Sequence, residues 1–577
     1  MSLSVILNTA AAALINTEFK IAVTNNNVAN ASDPNYSRKT VSSGAITSTA
    51  ALTVSTTDRV ADAYLTKLTA SSAGSSAYDQ AISSALTTYD AALGTVNGGD
   101  DLSSRLQDFQ TALTNLSTSG ADSASKAKAV AAATTLAGTI QGLSSTVQSL
   151  RTQANTDIAS TVNEINASTS TIADLNRQIV ATTASGGDVT DLEDQRDAAL
   201  QTLSGDIGVS YFVGADNRMQ VYTTSGDPLV ADKANALSYT PASTLSATAT
   251  YPDQISGITV GGRDITTSVT SGKLGGLINL RDDTLVQEQA KLDSFSSALI
   301  SAANTALNSG SAYTPPSSLQ GATAVDPSQS LSGSGQLRVA VTDSSGTVVS
   351  STDLDLSSYG AVGDLVTALN GIPGLSAQLD SQGRLSLQTG DSTQGVALAD
   401  MGASVGPSGA GVSAFFGLNN LFTGSSAADI VVNPTIANAP DRLPTGALST
   451  SSTLAAGDIA VASGDTTGSD ALNAAFGAAR TFTAAGGLPT QSTSLQSYAT
   501  DFVSSAANVV ASASSAADAS SAVFTAAQSR MQNFSGVNTN EELAQLTALQ
   551  QQYQANAQMI STARTLFQTL VTMMSAT

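Results

Sequence analysis

Apolar residues recur at alternating steps of four and three at both ends of the chain. At the start, Leu3, Leu7, Ala10, Leu14, Thr17, Ile21, Thr24 and Val28 fall on one stripe of a helix. The closing segment repeats the spacing with Leu546, Leu549, Tyr553, Asn556, Ile560, Ala563, Phe567, Leu570 and Met574. A lone helix cannot bury such a stripe, so each end is expected to meet another helix. Turn-formers from Asn30 to Asn35 follow the first stripe, and Pro34 biases Asp33 away from helical backbone, so that helix should stop near Ala31. Residues 40–60 alternate Ser, Thr, Val, Ile and Leu and read as an extended linker.

Between the ends the period changes several times. Helical patterning covers about 60–93, closed by Gly94 and the Asn97-Gly98-Gly99 turn, then 102–116. A longer run from about 124 to 183 carries Leu136, Ile140, Leu143, Val147, Leu150 and Ile158 on one face and predicts a rod of about 90 Å at ~1.5 Å per residue. A short helix holds Asp191-Leu192-Glu193-Asp194-Gln195-Arg196-Asp197, and period-two alternation at Val209, Tyr211, Val213, Met219 and Val221 then signals hairpins to about Thr270. Gly275 and Gly276 precede a predicted helix over 280–307. Residues 310–460 are rich in Gly, Ser and Thr, with strand patterns at Leu337, Val339 and Val341 and at Leu385 and Leu387, and one short helix over 362–369. Helical patterning returns near Asp470 with Pro489 as an internal break. The expected fold class is multidomain and mainly α: a long helical rod from N- and C-terminal helices with inserted β-rich and α+β outer domains. Nested insertion would bring the termini together. The expected divisions are 1–60 with 525–577 (terminal helical coiled coil), 61–310 with 470–524 (rod, with a hairpin subdomain at about 205–270) and 311–469 (outer domain).

Composition removes whole classes of chemistry. At 577 residues the chain exceeds a single core, and it has no Cys, His or Trp. Disulfides, Cys or His zinc sites, haem ligation and Ser-His-Asp hydrolysis are therefore excluded. The net charge of −22 argues against nucleic-acid partners. Its distribution is uneven: residues 1–67 hold five bases against four acids, and within 530–577 two arginines cancel two glutamates. The acidic excess thus lies in 68–529, and the nearly neutral ends suit burial in an assembly. No apolar run is long enough for a membrane span, and the apolar opening stretch lacks the basic residues of a signal peptide before Lys20. No cofactor or metal is expected.

Other candidates read as structural. Asp191, Glu193, Asp194 and Asp197 form the densest acidic cluster; a carboxylate pair or hard-cation site is conceivable there, but a solvated helix neutralised internally by Arg196 is favoured. Gly272-Lys273 lacks the upstream glycine spacing and following Ser or Thr of a P-loop. The terminal stripes could close as an intramolecular coiled coil alone. Their low charge, and Gln550, Gln551, Gln552, Gln554 and Gln558 in place of flanking Glu and Lys, favour further packing against neighbouring subunits. Asn556 on its stripe either fixes register or is solvated.

The run Asn25-Asn26-Asn27-Val28-Ala29-Asn30 followed by Pro34-Asn35-Tyr36-Ser37-Arg38 resembles the N-terminal signature of flagellar rod, hook and hook-associated proteins. Its signature positions here are Asn26, Asn27, Asn30, Pro34, Tyr36 and Arg38. Asn35 stands where that family usually has Gly, and Asn tolerates left-handed backbone. The 191–197 run, Gly272-Lys273-Leu274-Gly275-Gly276-Leu277 with Arg281-Asp282-Asp283-Thr284-Leu285, and Ser535-Gly536-Val537-Asn538 leading to Gln551–Gln558 narrow the resemblance to the hook-associated proteins of the hook-filament junction. It covers about 1–310 and 470–577. It implies a non-enzymatic structural adapter of the bacterial flagellum, exported unfolded by the type III apparatus to the cell exterior and polymerising through its terminal helices. Self-assembly then falls to Leu3, Leu7, Leu14, Ile21 and Val28 with Leu546, Leu549, Tyr553, Asn556, Ile560, Phe567 and Leu570. The implied partners are copies of itself, the hook protein, the second hook-filament junction protein and an export chaperone on the C-terminal segment. Alternatives are a hook or flagellin-like axial subunit, and an extracellular adhesin or carbohydrate-active protein using 311–469.

Overall fold

The computed structural model describes residues 3–43, 55–95 and 98–575. The middle of the 40–60 stretch, Asn97 and the Leu3 side chain lie outside the described residues. The architecture is mainly α and multidomain, with several small sheets.

The first helix, α1 (Leu3–Ala29), ends two residues before the expected stop. The expected linker is instead partly paired: β1 (Lys39–Ser43) and β2 (Ser55–Arg59) form an antiparallel hairpin in which Lys39 faces Arg59. Helix α2 (Ala63–Leu93) starts on an Asp62 cap whose carboxylate accepts the Tyr64 and Leu65 amides, and ends at Gly94 with φ +79°. Helices α3 (Leu102–Thr118) and α4 (Ser123–Ala184) are capped the same way by Asp101 and Asp122. The 62 residues of α4 give a rod of about 93 Å at ~1.5 Å per residue, as the unbroken apolar periodicity requires. Helix α5 (Thr190–Asp206) carries the acidic run. Strands β3 (Val209–Val213), β4 (Met219–Thr223) and β5 (Pro228–Val230) make the predicted meander, with short strands β6 (Leu237–Ser238), β7 (Thr259–Val260) and β8 (Arg263–Asp264) beyond it.

The helix expected from 280 begins earlier. Helix α6 (Gly272–Asn279) runs through one π turn at 280–284 into α7 (Leu285–Asn308), so Gly275 and Gly276 lie inside a helix. The reason is contact: a Cβ on Gly276 would sit 2.5 Å from the Tyr78 carbonyl of α2, so only glycine lets the two helices meet. Gly272 has φ +77° and abuts Asp206 and Ile207 at the end of α5.

The outer segment holds β9 (Ser318–Ala324), β10 (Ser334–Thr342), β11 (Val348–Asp355), α8 (Val362–Asn370), β12 (Leu375–Leu379), β13 (Arg384–Thr389) and β14 (Gly395–Ser404). They form two three-stranded antiparallel sheets, β11-β10-β14 and β12-β13-β9. Leu337, Val339 and Val341 of β10 enter the core shared with α8, while Ala340 faces a smaller cluster with Ala397 and Val461, so the strand is buried on both faces. After a short turn α9 (Val412–Phe416), the chain returns: Phe422, Ile430, Val432 and Leu443, around α10 (Pro434–Ala437), pack into the main rod core.

Helix α11 (Thr467–Gly477) comes next, and Pro489 falls within a small hairpin, 480–482 paired with 491–493. Two long helices close the chain, α12 (Leu495–Ser535) and α13 (Thr539–Ser575). The rod core joins α2 to α7, α11 and the first half of α12 around residues such as Phe109, Phe295, Phe476 and Tyr498. Among the described residues no helix is long and apolar enough to cross a membrane.

Candidate functional site

Helices α1 and α13 lie antiparallel, with Asn27 against Glu542 near one end and Thr17 against Asn556 further along. The buried line is Ala10, Thr17 and Thr24 on α1 and Glu542, Leu549, Asn556 and Ala563 on α13, each at seven-residue steps. That is the predicted heptad, with small and polar residues in its seam. Small side chains let the backbones approach closely and displace the larger apolar residues outward. Leu7, Leu14, Ile21, Val28, Leu546 and Ile560 are half-buried along its margins. Tyr553, Phe567 and Leu570 project to solvent, Phe567 and Leu570 being 56% and 55% exposed. Asn556 is buried, its Nδ2 3.5 Å from Thr17 Oγ1. Val5, Ile6, Ile15 and Phe19 of α1 and Leu566, Val571 and Met573 of α13 are exposed as well.

At the base of the pair, Asn27 is a buried junction. Its Nδ2 donates to the Lys39 carbonyl and to Glu542 Oε2, both at 2.9 Å. Its Oδ1 accepts the Lys39 amide and the Tyr36 hydroxyl, both at 3.0 Å. One side chain thus ties helix α1, the signature turn, strand β1 and helix α13. Burial first, then Asp194 and Glu542, push the Tyr36 phenol up to about 12, which keeps it a donor. The Arg38 amide donates to the Ser535 carbonyl at 2.6 Å, and its guanidinium lies 3.5 Å from Glu542 and 3.7 Å from Glu541. Asn26, Asn30 and Pro34 are exposed; Asn30 Nδ2 donates to the Asn26 carbonyl. Asn35 is not at positive φ: its amide donates to Asp33 Oδ1 at 2.9 Å, so the turn needs no left-handed residue there.

The acidic run on α5 is the socket for this assembly, which corrects the expectation of a solvated helix. Asp194 is buried and accepts the Ser37 hydroxyl at 2.5 Å and the Ser37 amide at 3.3 Å. Lys39, also buried, pairs with Asp191 and Asp194 and lies 4.4 Å from the Tyr36 ring centroid. Arg59, its hairpin neighbour, reaches Asp197 at 2.7 Å, Glu193 at 3.0 Å and Asp194 at 3.3 Å. Arg196 is not the main neutraliser: it is buried and donates to Asn217 and Asn176, and it acts on Glu193 and Asp197 through its charge, with no ion pair among the described residues.

The charges in this socket strain against burial. Desolvation lowers Lys39, with Asp194 opposing. Desolvation would lower Arg59 too, but Asp197, Glu193 and Asp194 hold it above its usual value. Asp197 is pushed up by burial although Arg59 opposes that. Both values are raised, which favours the charged form of Arg59 and disfavours that of Asp197; the 2.7 Å contact and the two further carboxylates on Arg59 favour the ionised pair. Among the described residues no group of carboxylates is arranged to hold a metal ion. Lys39, Arg59 and Glu542 were not singled out by the sequence, and Thr17, Ser37 and Asp194 were placed on the stripe, the signature run and the acidic cluster without the contacts they make; the one signal for the socket was that acidic run beside a start without acidic excess.

The chain matches two family models, the flagellar hook-associated protein FlgK helical domain over residues 86–317 and the flagellar basal body rod FlgEFG protein C-terminal over residues 528–573. Flagellar hook-associated protein 1 of Escherichia coli (strain K12) is 25% identical over 488 residues, 82% of this chain and 80% of that protein. The flagellar hook junction protein FlgK from Burkholderia pseudomallei aligns in structure with a TM-score of 0.48 and 18% identity, covering 81% of this chain and 99% of that one.

Proposed function

We infer, from the premise that this chain belongs to the flagellar hook-associated protein 1 family, that it is a structural component of the flagellum at the hook-filament junction. The matched helical domain and the E. coli relative belong to hook-associated proteins, so neither a hook or flagellin-like subunit nor an adhesin is favoured. The observation that carries the mechanism is the antiparallel α1/α13 pair. Its seam is closed by Ala10, Thr17, Thr24, Asn556 and Ala563 together with Leu549, and large apolar side chains such as Ile15, Leu566, Phe567 and Leu570 face outward. In the assembled junction those side chains pack against neighbouring copies, the hook protein and the second junction protein.

The molecule acts by assembly and not by catalysis. Its carboxylate cluster is occupied by Lys39 and Arg59. Export through the flagellar type III apparatus, with a chaperone on the C-terminal segment, suits an end on which Leu566, Phe567 and Leu570 are more than half exposed. A deletion strain should shed flagellin into the medium and carry bare hooks, restored by the full-length gene. Retained filaments with no loss of flagellin would overturn the reading.

A further inference from the structure

The outer segment 311–469 holds twelve aspartates and three basic residues, Arg338, Arg384 and Arg442. Arg338 is buried and fully engaged: Nε and one terminal nitrogen bond the Asp353 carboxylate at 2.7 and 2.8 Å, and the other bonds the Ser449 and Ser451 carbonyls. The remaining two line a single cleft of about 730 Å³. Its walls belong to different cores. Gln320, Gly321 and Arg384 come from β9 and β13 of the outer sheets, whereas Thr423, Asn438 and Arg442 come from the stretch that packs into the rod. A concave site at such a boundary, with a few convergent polar groups, is where small ligands bind.

The chemistry of the lining is specific. Among the described residues no carboxylate lines the cleft. Arg384 is backed by Asp380 at 2.9 Å, which orients its guanidinium. Arg442 makes one hydrogen bond, at 3.3 Å to the Ser318 carbonyl, and has no ion pair among the described residues, so most of its planar donor fork is available. In a chain of net charge −22 an anion is repelled nearly everywhere, and Arg442, beside an Arg384 whose charge Asp380 balances, makes a local exception. Thr423 and Asn438 add a hydroxyl and an amide suited to hydroxyls on the ligand, whereas Asn433 is committed to capping α10, its Oδ1 accepting from Thr435 and its Nδ2 donating to the Asn420 carbonyl.

We propose that this cleft binds a small polyhydroxylated oxyanion, its carboxylate or phosphate held by Arg384 and Arg442 and its hydroxyls by the threonine and asparagine side chains. Bound there, the ligand bridges the outer sheets to the rod and holds the two at one angle.

The test is calorimetric titration of the full chain with digalacturonate, glucose 6-phosphate, inorganic phosphate and neutral maltose, at low and high salt. Binding of digalacturonate identifies a uronate source, and binding of glucose 6-phosphate a phosphosugar source. In either case Arg442→Gln should weaken the affinity at least about tenfold, and Arg442→Lys should recover only part of it. Added salt should weaken it too. The unliganded melting temperature of Arg442→Gln should match that of the parent chain, since this residue is in no ion pair among the described residues. Absence of binding by both charged sugars, equal binding of maltose, or unchanged affinity in the folded Arg442→Gln variant would overturn the proposal. Inorganic phosphate binding as well as the sugars would also overturn it, because the hydroxyl contacts would then be absent.

Discussion

Asn27 and Asp206 show how single polar side chains set the stability of this chain in opposite senses. Asn27 satisfies four partners in a dry site, including the Lys39 main chain and the Glu542 carboxylate, which is 2% exposed. Replacing it by Ala would strand these groups without water, at a cost of about 2–3 kcal/mol. Asn27→Asp should do worse, because it sets a second carboxylate against Glu542 and removes the donor. Thermal melts, with tyrosine fluorescence following Tyr36, would check that order. Asp206 does the reverse. It ends α5, where the helix dipole already disfavours a negative charge, and its Oδ2 is buried without a hydrogen-bond partner. Burial, aided by Glu164 and opposed by Lys273, pushes its carboxyl up to about 6. An acid with a raised folded value binds its proton more tightly when folded, so its contribution is complete below the unfolded value near ~4 and is lost as pH rises through about 6. Asp206→Asn should therefore gain about 2 kcal/mol over the parent at pH above ~7 and little below ~4. Paired melting curves across that range decide it; a constant difference at all pH values would contradict the assignment.

At the scale of elements, the hairpin β1–β2 is held to α5 by charge rather than by apolar area. Arg59→Gln leaves Asp194 and Asp197, 9% and 15% exposed, without their main cation, at a cost of about 3 kcal/mol. Because the rod has its own core, that loss should appear as release of the hairpin and not as a lower melting point of the rod. Amide exchange should speed up at 39–43 and 55–59 while α4 is unchanged, and salt should produce a weaker version of the same effect. Uniform acceleration across α4 would refute this partition. Only part of this arrangement was legible in the sequence. The heptads of α1 and α13, the long α4 and the alternating strand β10 follow from periodicity, which is local. The socket is not local: Asp194 meets Arg59 and Ser37 across 135 and 157 residues, so its aspartates look solvated when only their own helix is considered. The early start of α6 was hidden for a similar reason. Glycine at 275 and 276 reads as a helix breaker, yet Gly276 is there because α2 passes too close for a Cβ.

Across the whole molecule, among the described residues, the two terminal helices leave many large apolar side chains uncovered. The four-three spacing identified two helices that pair, but it could not say which residues close the seam and which face away. Close approach selects Thr17, Asn556 and Ala563 for the inside and turns Phe567 and Leu570 out. Leu566, Phe567 and Leu570 are 55%, 56% and 55% exposed, and covering the exposed remainder of all three against a neighbour contributes on the order of 3 kcal/mol per subunit contact. In a ring or helix of identical copies that term repeats at every contact, so its loss is far more damaging to the polymer than to the monomer. The triple change Leu566→Ser, Phe567→Ser and Leu570→Ser should leave the monomer's melting temperature and helix content nearly unaltered, because none of the three is buried within the chain. The same variant, exported in place of the parent, should fail to hold filaments on hooks. A variant that kept full filaments would show that subunits meet elsewhere, and a variant that lost helix content as a monomer would show that α13 depends on these residues for its own pairing with α1.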